Sequence, residues 1–273
     1  MPRILDYTGQ DVTRTVTVAD IVTQKGKDTP YTQVTAGTAE EAAAAEAAGI
    51  DMAVCLSDSV PAVRTGSSKL FVTAAIDFSG AITDDDLLGT AYEALTAGAD
   101  AVITARRFKA VRRIADEDIP VMGHLGFVPK KSTLYGGVRA VGKTAAEATK
   151  LWDQFRQLED AGAFAVECEI IPERVMREIH PRTSMATISL GSGRYADVMF
   201  LFMSDICGES PRVPRHARSY ADLNKLYAQI QETRISALSA YRTDVLENKY
   251  PGDAEVAGID DNELAAFVDK LNS

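Results

Sequence analysis

Glu167 and Glu169 stand two residues apart in the run Phe-Ala-Val-Glu-Cys-Glu that begins at Phe164. On a strand that spacing turns both carboxylates to the same side. Two carboxylates forced together share a proton, which raises one pKa toward a general base or acid role. Other polar residues follow short apolar runs: Asp58 and Ser59, Asp77, Arg106 and Arg107, His124 within Gly-His-Leu-Gly, Ser192 and Arg194 within Gly-Ser-Gly-Arg, and Asp205. Aspartates suit a hard cation such as Mg2+, which prefers oxygen ligands and needs only one or two from the protein. A guanidinium behind a strand can clamp a carboxylate bidentately. Together these groups fit a site for a small anion, with or without a divalent metal.

The same residues have plainer readings. Asp58 and Asp77 serve equally well as caps of the helices that follow them. Arg106 and Arg107 read also as solvated surface charge, and Gly191 to Gly193 as a turn. His180 precedes Pro181 at a helix end and reads as a surface residue. His124, His180 and His216 show neither i, i+2 nor i, i+4 spacing, which argues against zinc. There is no Gly-x-x-x-x-Gly-Lys loop, and no Ser/His/Asp order stands out as a catalytic triad.

The elements that must position these groups alternate. Strands are expected at 31–35, 52–56, 70–76, 101–104, 119–122, 164–168, 185–190 and 199–203. Helices are expected at 39–48, closed by Gly49, from Thr83 to Gly98, at 108–115, 144–161 and 172–179, then 221–248 and 262–271. A Gly- and Pro-containing loop spans 123–142. Eight strands alternating with helices in this length predict an α/β fold, a single (β/α)8 TIM barrel with extra C-terminal helices. A doubly wound sheet is the runner-up, but no Gly-x-Gly-x-x-Gly opens a helix. The expected organisation is one barrel domain over 1–273, with 221–273 as a helical extension. In a barrel the active site lies at the carboxyl ends of the strands, where the polar residues above fall.

Composition narrows the class. The 273 residues are 46% hydrophobic and 25% charged, a soluble globular mix that buries a full core without staples. Net charge is −10, which disfavours nucleic acid and anionic membrane surfaces as partners. Cys55, Cys168 and Cys207 are widely spaced and odd in number, which fits a reducing cytoplasm. No apolar run reaches the ~18 residues of a membrane span. The long helix carries Leu223, Leu226, Tyr227, Ile230, Leu238, Tyr241 and Val245 at helical spacing. Its first half reads as the eighth barrel helix and its second half as reaching a neighbouring subunit, so a homo-oligomer is expected.

Several stretches resemble one family. Val121 to Gly142, VMGHLGFVPKKSTLYGGVRAVG, resembles the Gly-His-Leu-Gly…Pro…Gly-Gly…Gly segment of ketopantoate hydroxymethyltransferases. Phe164 to Ile179 resembles their catalytic strand and following helix, where a glutamate stands three residues before a proline. Thr15 to Asp20, Val34-Thr35-Ala36, Leu190 to Asp205 and Tyr250-Pro251-Gly252 match further family segments. The resemblance implies a barrel of the phosphoenolpyruvate mutase and isocitrate lyase superfamily and a homo-oligomer. It implies transfer of a one-carbon unit from 5,10-methylenetetrahydrofolate to 3-methyl-2-oxobutanoate. In that reaction Mg2+ holds the 2-oxo acid and a glutamate removes its C3 proton.

Carried over by position, the resemblance makes Glu169 the base, His124 the family histidine, Asp58 a metal ligand and Ser59 a contact of the substrate carboxylate. The departures are as specific. Ala75 stands where the family has its second metal aspartate, and Ile103 and Ala105 replace its Lys-x-Glu. Glu167 is an extra acid at a position usually apolar, counted here with the substrate contacts. Asp77, two residues beyond Ala75, is expected to join the metal, and Arg106 to restore the lost lysine's charge toward the substrate. Three readings follow: a ketopantoate hydroxymethyltransferase-like enzyme working through an enolate, a superfamily lyase or hydrolase on another oxo acid, and a non-catalytic small-molecule-binding barrel.

Overall fold

Apolar runs rich in β-branched and small residues form ten strands in the computed structural model, which describes residues 3–76 and 80–273. β1 (Ile4–Leu5) and β2 (Asp11–Val12) make a small antiparallel pair. The remaining strands are β3 (Tyr31–Thr35), β4 (Met52–Leu56), β5 (Phe71–Ala75), β6 (Ala101–Ile103), β7 (Val121–Gly126), β8 (Ala165–Glu169), β9 (Ala186–Leu190) and β10 (Val198–Leu201). All eight pair in parallel and in sequence order, and β10 returns to β3 to close the barrel. This is the (β/α)8 architecture expected from the alternation.

The helices are α1 (Val18–Thr23), α2 (Ala39–Ala47), α3 (Val60–Gly66), α4 (Asp84–Thr96), α5 (Phe108–Ala115), α6 (Ser132–Tyr135), α7 (Ala145–Asp160), α8 (Glu173–Ile179), α9 (Met203–Ile206), α10 (Leu223–Leu246) and α11 (Asp261–Leu271). Thr17, Thr38 and Thr83 close capping boxes with Asp20, Glu41 and Asp86, so α1, α2 and α4 start where a threonine stands three residues before an acid. Asp58 does not cap: it lies in a 3-10 turn, Ser57–Ser59, and α3 begins without a side-chain cap bond.

Strand alternation divides the core in two. Met52, Val54, Phe71, Met122, Ala165, Ile188, Val198 and Phe200 fill the barrel interior. Ala53, Cys55, Val72, Val121, Leu125, Val166 and Cys168 face outward, against residues such as Leu87, Leu151, Phe155 and Leu158 of the surrounding helices. Successive residues of β8 therefore alternate, with Ala165 inward and Val166 and Cys168 outward, which points Glu167 and Glu169 into the barrel.

The chain divides into two compact units, one ending at Ala221 and one spanning Asp222–Ser273. In the second, α10 has no buried residue, and Leu226, Tyr227, Ile230, Leu238, Tyr241 and Val245 are exposed. The long helix expected from the 3.6-residue apolar period is present as α10. Tyr241 and Tyr250 stack edge to face at 5.3 Å within this unit.

Candidate active site

The interior-facing ends of β7 and β8 carry the polar centre of the barrel. Their register sets His124 beside Glu167 and Gly126 beside Glu169. His124 Nε2 lies 2.9 Å from Glu169 Oε2, 3.1 Å from the Phe127 carbonyl oxygen and 3.7 Å from Glu167 Oε1. With a proton on Nε2 the imidazole donates to Glu169 and to Phe127. The three side chains are about nine-tenths buried, at 9%, 9% and 12% exposure for His124, Glu167 and Glu169.

Electrostatics favour the protonated forms of His124 and Glu167. Burial raises the Glu167 pKa; the His124 charge opposes that and the Glu169 carboxylate adds to it. For His124, burial favours the neutral ring, but Glu167 and Glu169 outweigh it and hold the pKa above the usual imidazole value. Both directions favour a bound proton on His124 and Glu167 in this buried group.

The backbone beyond Glu169 is fixed unusually. Phe127 N donates to the Glu169 carbonyl at 2.8 Å. Gly126 sits at φ 88°, and a Cβ there would overlap that same carbonyl oxygen. Ile170 holds φ 49°, a left-handed conformation costly for a β-branched residue, and donates its N–H to Leu190 O at 2.9 Å. The Ser192 hydroxyl donates to Cys168 O at 2.7 Å and accepts from Ile171 N at 2.8 Å. Ser192 thus braces the backbone on both sides of Glu169 rather than facing a ligand.

A cavity of about 490 Å3 opens over the cluster, lined by His124, Glu167 and Glu169 and by Ser59 and Thr35. The rest of its wall is largely apolar, including Val54, Ile76, Ile103, Leu190, Phe200 and Phe202. Phe200 and Phe202, ring centroids 5.4 Å apart, were not singled out from sequence; their alternate spacing in the last strand was the available signal. Thr35 Oγ1 accepts from Met203 N at 2.9 Å.

Of the residues expected at the site, His124, Glu167, Glu169 and Ser59 meet at this cavity. Asp58 is exposed and accepts the Ser59 hydroxyl at 3.2 Å. Arg106 does not line the cavity; its guanidinium donates to the Ala81 and Ile82 carbonyls. Asp77 lies outside the described residues. Arg194 pairs with Glu173 at 3.1 Å on the surface, and Asp205 is buried in α9. His180 is not a surface residue: its Nδ1 lies 2.9 Å from Thr187 Oγ1 and 3.2 Å from Lys25 Nζ, near Asp197. That group, at the amino-terminal side of β9, is a largely buried ion pair between Lys25 and Asp197.

His124, Glu167 and Glu169 bring one nitrogen and two oxygen ligand atoms within 4.8 Å of one another. Among the described residues no helix is long and apolar enough to cross a membrane.

Comparison with known proteins bears on the fold and the family. The barrel is similar to the crystal structure of phosphonopyruvate hydrolase complexed with oxalate and Mg2+, with TM-score 0.51 and 11% identity over 94% of this chain and 97% of that one. It is also similar to the carboxyl transferase domain of Rhizobium etli pyruvate carboxylase, with TM-score 0.53 and 11% identity over 76% and 47% of the two chains. At these identities the likeness is one of fold. In sequence, the chain is 32% identical to the 3-methyl-2-oxobutanoate hydroxymethyltransferase of Kosmotoga olearia, over 88% of this chain and 96% of that protein. It is 32% identical to that of Hyperthermus butylicus, over 94% and 96%. The family model for ketopantoate hydroxymethyltransferase matches residues 57–253, a span that contains the whole His124–Glu167–Glu169 cluster, and the chain belongs to that family.

Proposed function

We propose that this chain makes a C–C bond next to the carbonyl of a small 2-oxo acid, 3-methyl-2-oxobutanoate in the first instance, with 5,10-methylenetetrahydrofolate as one-carbon donor. The observation that carries the reading is the buried His124–Glu167–Glu169 cluster at the carboxyl ends of adjacent strands, beneath an apolar cavity.

The aliphatic group of the 2-oxo acid lies against Val54, Ile103 and Phe200, and its C3 faces Glu169. The Glu169 carboxylate takes the C3 proton, and the C–H electron pair moves into the enolate. The methylene carbon is held by two folate nitrogens: one C–N bond opens as Glu169 passes its proton to that nitrogen, the enolate carbon bonds to the methylene carbon, and water then displaces the second nitrogen, leaving OH on the carbon and its proton on the nitrogen. His124 orients Glu169 through its 2.9 Å hydrogen bond, and Glu167 keeps a compensating proton nearby. Ser59 supplies a hydroxyl on the β4 side of the cavity for the substrate's polar end.

Mg2+ would need one or two protein carboxylates in an oxygen shell. Asp58 is a single exposed carboxylate already bonded to Ser59, and the wall beside it is Ala75, Ile76 and Ile103, without side-chain oxygens. The mixed donor set of the buried cluster is not one Mg2+ prefers. The described residues do not fit a resident Mg2+. Isothermal titration of Mg2+ into the substrate-free protein is expected to give no binding heat at micromolar protein.

Ala75 and Ile103 favour a second reading, because they leave the cavity wall without the acid and the cation that the family resemblance implies there. That reading is a lyase or hydrolase reaction on another oxo acid. The two are separated by mass spectrometry of products after incubation with 3-methyl-2-oxobutanoate and methylenetetrahydrofolate. A hydroxymethylated product supports the first. Its absence, with cleavage of a different oxo acid, supports the second.

A further inference from the structure

The reaction cavity contains two carboxylates, and no Lys or Arg among the described residues lines it, although the proposed substrates are anions. A second cavity of about 470 Å3 adjoins it, and Ala105 and His124 line both. Arg106, Arg107, Lys109, Lys130 and Lys131 line this neighbour together with Tyr135, and no described carboxylate does. Five cations around one hollow stand out in a chain of net charge −10.

These charges act on one another. Burial, then repulsion from Lys131 and Arg106, pushes the Lys130 pKa down. Arg106 is fixed in place by two neutral carbonyls, which leaves its charge available to the cavity. Lys109 has Asp84 3.9 Å away, on an exposed side. Arg107 and Lys109 also stand at the start of α5, where the helix dipole already disfavours positive charge.

We propose that this cavity is a subsite for a polyvalent oxyanion, a phosphate or a cluster of carboxylates, carried at the far end of a ligand whose other end lies in the reaction cavity. One carboxylate is satisfied by one or two donors, whereas five cations match the several oxygens of a phosphate or of grouped carboxylates. The connection runs past His124, which stands in the wall common to both cavities. The inference deepens the proposed function and rests on it only for the reacting end.

The test is binding, without turnover. Inorganic phosphate and citrate are titrated separately by calorimetry, at constant ionic strength, into wild type, Lys130→Ala/Lys131→Ala, Arg107→Gln and the surface variant Lys150→Ala. The expected result is a dissociation constant on the order of millimolar or tighter, weakened about tenfold or more in the double variant, weakened in Arg107→Gln and unchanged in Lys150→Ala. In wild type the His124 ring resonances move on saturation. Tighter phosphate binding identifies a phosphate-bearing ligand, and tighter citrate binding a polycarboxylate. No heat with either probe, equal affinity in the double variant and in Arg107→Gln, or unmoved His124 resonances would overturn the subsite. Because no catalysis is measured, loss of the proposed activity and loss of the subsite are separate results.

Discussion

Glu167 and Glu169 share a strand and a face but do different work. Glu169 meets the cavity with His124 donating to it, while Glu167 lies deeper and is held toward its protonated form. Glu167→Gln removes the leading attraction that raises the His124 pKa, so that pKa is expected to fall, as read by NMR titration of the imidazole. Stability follows with a definite sign. His124 and Glu167 both have folded-state pKa values raised above their ordinary 6.5 and 4.5, so the folded protein keeps protons that the unfolded chain releases. Their contribution is present below those ordinary values and is lost as pH rises through the raised ones. Urea unfolding at pH 5.5 and pH 8 is expected to show a larger loss on the alkaline side in wild type than in Glu167→Gln. An equal loss in both would remove Glu167 from the proton balance. The pairing of the two acids was readable from their spacing, and Glu169 and His124 from the family segments. The outward turn of Asp58 and the tie of Arg106 to Ala81 and Ile82 were not, because loop direction is set by tertiary contacts that no local pattern encodes.

At the scale of elements, the alternation of strands and helices gave the barrel, the Ala- and Glu-rich run gave α2, and Thr83 with the acids after it gave the start of α4. The expected fifth strand, 119–122, is β7 and runs to Gly126, since Gly-His-Leu-Gly continues the ladder with β8 through Gly126. Two glycines read as loop signal hid that extension. The short helices α1 and α3 were also missed; each has only six or seven residues, too few for a periodic pattern to emerge. Gly126 is the residue that lets β7 pass the Glu169 carbonyl. Gly126→Ala puts a Cβ into that carbonyl and forces an L residue to positive φ. The expected cost is about 2 kcal/mol or more. That corresponds to a fall in Tm of roughly 4 °C or more by calorimetry. Turnover should fall with it, because Glu169 moves.

For the whole molecule, the second unit sets the expectation. Its helix α10 carries Leu226, Tyr227, Ile230, Leu238, Tyr241 and Val245 at helical spacing, an apolar stripe of the kind that packs against another surface. A homo-oligomer is therefore proposed, and light scattering should give a mass of several chains at micromolar concentration; a stable single-chain mass would contradict it. The central claim, that Glu169 removes the proton next to the carbonyl of a 2-oxo acid, is tested most directly by proton exchange. Wild type and Glu169→Gln are incubated with 3-methyl-2-oxobutanoate in D2O without folate, and loss of the C3 proton signal is followed by NMR. Wild type is expected to exchange the proton, and Glu169→Gln to do so about 100-fold more slowly or less, the usual worth of a positioned base. Exchange at the wild-type rate in the variant, or none by wild type, would contradict the account.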